Sequence, residues 1–173
     1  SNLDSVLFEI SWEVANKGIR VVLIVVGGIY TVLRTKISSV LDHLEGDYIM
    51  IGPYFQHSMR EVEICEPTGP LKEIIGEMNK ESLGCVYGTW LVDGSPSVIL
   101  LDTNSCRHMT HDIIHQLFRT VTLPLDQSDQ ELMEALSFGY MVCKLLEKVP
   151  NIFSVLILVL VKTCINSNHS ALP

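Results

Sequence analysis

Two adjacent glycines, Gly27 and Gly28, constrain this chain more than any other feature, because of what flanks them. Ahead of them Val21-Val22-Leu23-Ile24-Val25-Val26 is uncharged and mostly β-branched, hence strand-like. Behind them Ile29, Val32, Leu33, Ile37, Val40, Leu41 and Leu44 recur three or four apart, which is one face of a helix. Strand, glycine turn and helix start form the geometry in which unpaired backbone N–H groups and the positive end of a helix dipole face an anion. A Gly-Gly turn also serves as plain punctuation between two elements, so the spacing alone leaves both readings open.

Around this feature the chain reads as one α/β domain or a piece of a larger protein, 173 residues long and 47% hydrophobic. A net charge of −8 with no basic stripe argues against a nucleic-acid partner. Five cysteines lie about twenty or more residues apart with no CxxC pair, which points to reduced thiols in a cytoplasmic protein and away from a disulfide scaffold. No basic residue precedes an apolar run at the start, so no signal peptide is expected. The apolar run Val155 to Val161 is far shorter than the roughly 20 residues of a membrane span, so no membrane partner is expected.

Taken in order, Val6 to Trp12 reads as a first strand and Asp47 to Pro53 as another. Met59 to Glu66 alternates like a half-buried or an edge strand. Thr68-Gly69-Pro70 opens a helix with an apolar face of Leu71, Ile74, Ile75 and Met78, ended by Gly84. Cys85 to Val92 and Ser97 to Asp102 are strands joined by Asp93-Gly94-Ser95-Pro96, which suggests a hairpin. Thr110 to Phe118 looks helical. Ser128-Asp129-Gln130-Glu131 is a capping box before a helix that packs through Leu132, Leu136, Gly139, Cys143 and Leu146 and stops before Pro150. Beyond it lie the apolar run Asn151 to Val161 and a polar, unpatterned end with no further core to build.

Glu13-Val14-Ala15-Asn16-Lys17 and Val26-Gly27-Gly28-Ile29-Tyr30-Thr31-Val32-Leu33 together resemble the EVANK and VGGIYTVL segments near the N-terminus of the animal and fungal glycogen synthases. Ile51-Gly52-Pro53-Tyr54 is similar to the family's IGPY or VGPY, and Val86 to Gly94 to its VYGRWLIEG. Val98 to Asp102 looks like the strand that follows there, and Ala135 to Val149 resembles the family's helix with an A-hydrophobic-GY pattern. The similarity runs in order from about Leu3 to Val149 with one large break.

The resemblance implies an incomplete Rossmann-like N-terminal domain of a GT-B glycosyltransferase, a retaining enzyme with a cleft between two such domains. It implies transfer of glucose from UDP-glucose to the non-reducing end of an α-1,4-glucan, with no metal. The implied partners are glycogen and glycogenin, and full-length members oligomerise. Lys17, Gly27 and Gly28 would be the donor-binding residues, and no catalytic residue of the family falls within this stretch. Residues 1–149 are then a partial glycosyltransferase domain and residues 150–173 an unrelated tail.

Two departures stand against the match. In the family a lysine or arginine stands two residues before the glycines. Here the eight residues Gly18 to Val25 intervene and Val25 takes that position. An extended eight-residue segment reaches roughly 26 Å, so Lys17 returns to the glycines only if the insert loops out. That would expose several apolar side chains at about 1.5–3 kcal/mol each. Second, the family's histidine in an HFHEW-like segment would follow the helix ending near Val149, where Asn151-Ile152-Phe153-Ser154-Val155 stands. Both junctions read as translated non-coding sequence or a shifted exon boundary, which the transcript sequence tests. The expected chain is therefore truncated and inactive alone. The other class left open is a non-catalytic half-domain that binds glycogen or glycogenin.

Other groups have plainer readings. Cys106, His108, His111, Asp112 and His115 are dense enough to suggest zinc, with His111 and His115 on one helical face, but solvated histidines are the default without a CxxC or HExxH. Asp102-Thr103-Asn104 reads as a cap at a strand end rather than a ligand contact. Asn168-His169-Ser170 fits a glycosylation sequon that means little without a secretory signal.

Overall fold

The computed structural model describes residues 6–12, 14, 28–44, 47–109, 112–115, 130–149 and 156–160. The insert at residues 18–25, Lys17, Gly27, the serine of the capping box and the sequon lie outside them. Six strands form one sheet: β1 (Val6–Ser11), β2 (Asp47–Pro53), β3 (Val62–Ile64), β4 (Cys85–Trp90), β5 (Ser97–Leu101) and β6 (Leu156–Leu160). Three long helices cover it: α1 (Gly28–His43), α2 (Pro70–Lys80) and α3 (Gln130–Glu147).

The strand order is β3-β4-β5-β2-β1-β6. The four strands β5, β2, β1 and β6 run parallel, while β4 and β3 are antiparallel additions at one side. The parallel strands carry near-continuous apolar runs because both faces are covered. Val6, Phe8 and Ile10 of β1, Ile49 and Ile51 of β2, and Ile99 and Leu101 of β5 pack under α2 and α3. On the opposite face Met50, Val98, Leu100 and Trp90 pack under Leu33 and Ile37 of α1. The result is a three-layer α/β/α arrangement, a Rossmann-like fragment as the resemblance implied.

Pro70 stands at the start of α2, where its missing N–H costs nothing, and all four predicted face residues are buried. The helix ends at Lys80 rather than at Gly84. Ser82 takes the left-handed turn at φ 62°. Gly84 instead sits against Asp102, whose Cβ would be 3.1 Å from an added methyl.

Three further expectations change. Met59 to Glu61 belong to a 3-10 turn, Gln56–Glu61, and only Val62–Ile64 form the edge strand. Val32 lies outside the buried stripe of α1, at 53% exposure. The face of α3 is also rotated from the predicted one. Phe138, Met141, Val142, Leu145 and Val149 are buried, whereas Gly139 and Cys143 are exposed. Both stripes recur at three and four residues, so periodicity alone does not select between them, and the larger side chains take the core.

A methyl group added at Gly139 would meet nothing within 4 Å, and the same holds for Gly76 of α2. Gly139→Ala is therefore expected to raise stability by about 0.5–1 kcal/mol. A higher urea midpoint at unchanged slope would register it.

The boundary drawn at Val149 does not end the sheet. Leu156–Leu160 pairs with Leu7 to Ser11 as a parallel edge strand. The apolar run after Pro150 thus supplies a strand, which is hard to read from sequence because the run is short and follows a proline.

Candidate functional site

The parallel strands all end on one side of the sheet, at Ser11, Pro53, Leu101 and Leu160. From β1 the chain moves to β2 and then β5 on one side, and β6 is added on the other. The order therefore reverses at β1, and ligands of open α/β sheets sit outside the carboxyl ends at such a switch point. The segment leaving β1 begins there and ends at Gly28, the first residue of α1. Of the predicted donor residues, Gly28 is thus placed at a helix start. Lys17 and Gly27 lie outside the described residues.

The turn out of β1 is firmly seated. The Val14 N–H donates to the Ser11 carbonyl at 3.4 Å. The Val14 side chain is fully buried with Leu33 and Ile37. Trp12 takes edge-on contacts from Phe55 at 5.8 Å and Phe138 at 5.3 Å between ring centres. At the end of β2, the Tyr54 N–H donates to the Leu101 carbonyl at 2.8 Å.

Asp102 acts as a cap. Its Oδ1 accepts from the Asn104 N–H at 3.1 Å, and its own N–H donates to the Gly84 carbonyl at 2.8 Å. Ser105 closes the turn, its Oγ donating to the Asp102 carbonyl at 2.6 Å and accepting from the Gly84 N–H at 2.8 Å.

Two polar networks hold α1 against the sheet. Near its start, the Tyr30 hydroxyl donates to Glu61 Oε2 at 3.0 Å, and the Trp90 indole N–H reaches the same oxygen at 3.4 Å. The two rings meet edge to face at 5.6 Å. Burial, then the bond to Glu61 and its charge, raise the Tyr30 pKa above the ordinary phenol value, with Arg34 opposing. Further along the helix, Lys36 pairs with Oε1 of Glu9, and the Tyr48 hydroxyl donates to Oε2. Glu9 is completely buried in β1. Burial and the Glu9 contact push the Tyr48 hydroxyl far above its usual range. Sequence reasoning missed this group. The signal was a single glutamate in the apolar run Val6 to Ile10, since a buried carboxylate needs a partner.

The zinc reading finds no support among the described residues, which contain no cluster of three potential ligands. Cys106 is buried, its thiol directed at the carbonyls of Thr103 and Ser137 at 3.4 and 3.8 Å, while His108 and His115 are exposed. His111 lies outside the described residues.

Four described cysteines carry free thiols, Cys65 and Cys143 exposed, Cys85 and Cys106 buried. Burial pushes the Cys85 thiol from its ordinary 9.0 up to about 12. Iodoacetamide is therefore expected to label Cys65 and Cys143 in the folded chain and the buried pair only after denaturation, as peptide mass spectrometry would read. Between pH 9.0 and about 12 the unfolded Cys85 thiol ionises while the folded one keeps its proton. Its contribution to stability is therefore full below pH 9.0 and lost as pH rises through that window.

Such a sheet, layered between helices with its first connection leaving the switch point, defines a Rossmann-like α/β domain. The glycogen synthase family profile matches residues 9–165. The chain belongs to the glycogen synthase family. It is 36% identical over 148 residues to the liver glycogen (starch) synthase of Mus musculus, covering 84% of this chain and 20% of that protein. The glycogen (starch) synthase of Neurospora crassa is 36% identical over 138 residues, 79% of this chain and 18% of that protein. That of Caenorhabditis elegans is 35% identical over 143 residues, 82% of this chain and 20% of that protein. The chain thus spans about one-fifth of the length of the curated relatives it matches. The family match extends through β6 to residue 165, beyond the boundary expected at Val149. Among the described residues no helix is long and apolar enough to cross a membrane.

Proposed function

We propose that this chain forms the donor-side wall of a GT-B glycosyltransferase that carries glucose from UDP-glucose to the non-reducing end of an α-1,4-glucan in glycogen. The observation that carries this reading is the start of α1 at Gly28, directly after the connection leaving the central strand at the sheet's switch point. Amide groups of Gly27 and Gly28 would meet the donor's phosphates at the positive end of the helix dipole. Lys17 would supply the cation facing those phosphates. The reaction is read as cytoplasmic, in keeping with the free thiols, with glycogenin as the priming partner and assembly into oligomers.

Titration of the purified chain with UDP by calorimetry, followed by incorporation of labelled glucose from UDP-glucose into glycogen, tests the reading. Saturable UDP binding that weakens on Lys17→Ala is the expected result. Binding of glycogen or glycogenin with no affinity for UDP would replace it with a non-catalytic docking role.

A further inference from the structure

Gly52 sits in β2, one of the two central parallel strands, with a φ outside the left-handed region. Its own backbone does not require glycine, and a glycine there packs nothing and weakens the strand. Its neighbours supply the reason. A Cβ at Gly52 would lie 2.7 Å from the Val14 Cβ, 2.9 Å from the Val14 carbonyl oxygen and 3.3 Å from the Ser11 carbonyl oxygen. Two of those three atoms are backbone, so relief would require the chain itself to move.

On its other side Val14 packs with Leu33 and Ile37 of α1. The first turn after β1 is thus clamped between the end of β2 and the helix that begins at Gly28. We propose that Gly52 is a positioning residue for the nucleotide-sugar site. By leaving room for Val14, it fixes where the chain departs from the carboxyl edge of β1 relative to the start of α1. The inference rests on the donor reading above, and deepens it by naming a residue that acts without touching the donor.

The two tryptophans separate a local shift from general unfolding. Trp12 lies in the clamped turn, whereas Trp90 is fully buried beneath α1. In Gly52→Ala, the Trp12 indole resonance is expected to move and the Val14 amide to exchange at least about tenfold faster, while the Trp90 indole stays in place. UDP affinity measured by calorimetry is expected to fall about tenfold. Gly139→Ala, with open space around it, is expected to bind UDP as the parent does.

Unaltered UDP affinity in a folded Gly52→Ala, beside a parent that binds, overturns the inference and leaves the donor reading standing. A parent chain with no UDP affinity overturns the donor reading, and this inference with it. Should Gly52→Ala lose both indole signatures through unfolding, Val14→Ala loosens the same clamp without crowding it. Weakened UDP binding by that variant, with Trp90 unmoved, supports the inference, and unchanged binding overturns it.

Discussion

Lys36→Met is expected to destabilise the fold by about 3–5 kcal/mol, the cost of leaving a buried charge without its partner. Glu9 lies in β1, flanked on both sides by parallel strands, and is wholly removed from solvent. Its two oxygens are satisfied by Lys36 and Tyr48, and no buried side-chain polar atom among the described residues lacks a partner. Without the ammonium, the carboxylate keeps one neutral donor. The Lys36 side chain is 25% exposed, so water can partly replace it, which places the effect near the lower end. Glu9→Gln combined with Lys36→Met removes the charge with its partner and should recover most of the loss. Urea denaturation of the two singles and the double gives the coupling energy. Recovery would show that the single variant suffers from an orphaned charge, whereas strictly additive losses would contradict this account.

The same pair shows where sequence reading stops. Apolar runs locate β1, β2, β4 and β5, and helical period locates α1 and α2, because both patterns are local and visible. Period does not select the buried face of α3, where two apolar stripes of equal period compete and the choice depends on what Phe138 and Met141 meet on the sheet. Nor does it reveal that Glu9 is held by residues 27 and 39 positions away. Nothing local to a strand announces which helix will supply its counter-charge. The motif Ile51-Gly52-Pro53-Tyr54 is legible as a family signature, but the need for glycine there arises only when Val14 folds over the strand end. The glycine turn is the most visible part of the candidate site, and of its residues only Gly28 falls within the described structure.

Trp90→Ala should rank with Lys36→Met, at about 3–5 kcal/mol, through a different mechanism. Trp90 ends β4, is fully buried, and fills the space between the sheet and the first turns of α1. Truncation leaves a cavity that neither the rigid sheet nor a helix clamped by Val14 can close. It also removes the ring against which Tyr30 packs and a donor to Glu61 Oε2. Trp90→Phe retains most of the volume but not the N–H, so it should cost less. Tyr30→Phe, which removes only the hydroxyl, should cost about 1 kcal/mol. A urea-denaturation cycle of Tyr30→Phe with Trp90→Phe should give a non-zero coupling, since both donors share one carboxylate oxygen. Tyr30 stands two residues after Gly28, so this network holds the end of α1 that faces the proposed donor. Trp90→Phe is therefore expected to weaken UDP binding in a chain that remains folded. If stability falls while UDP affinity does not, the helix start is held by other contacts, and the tryptophan serves the core alone.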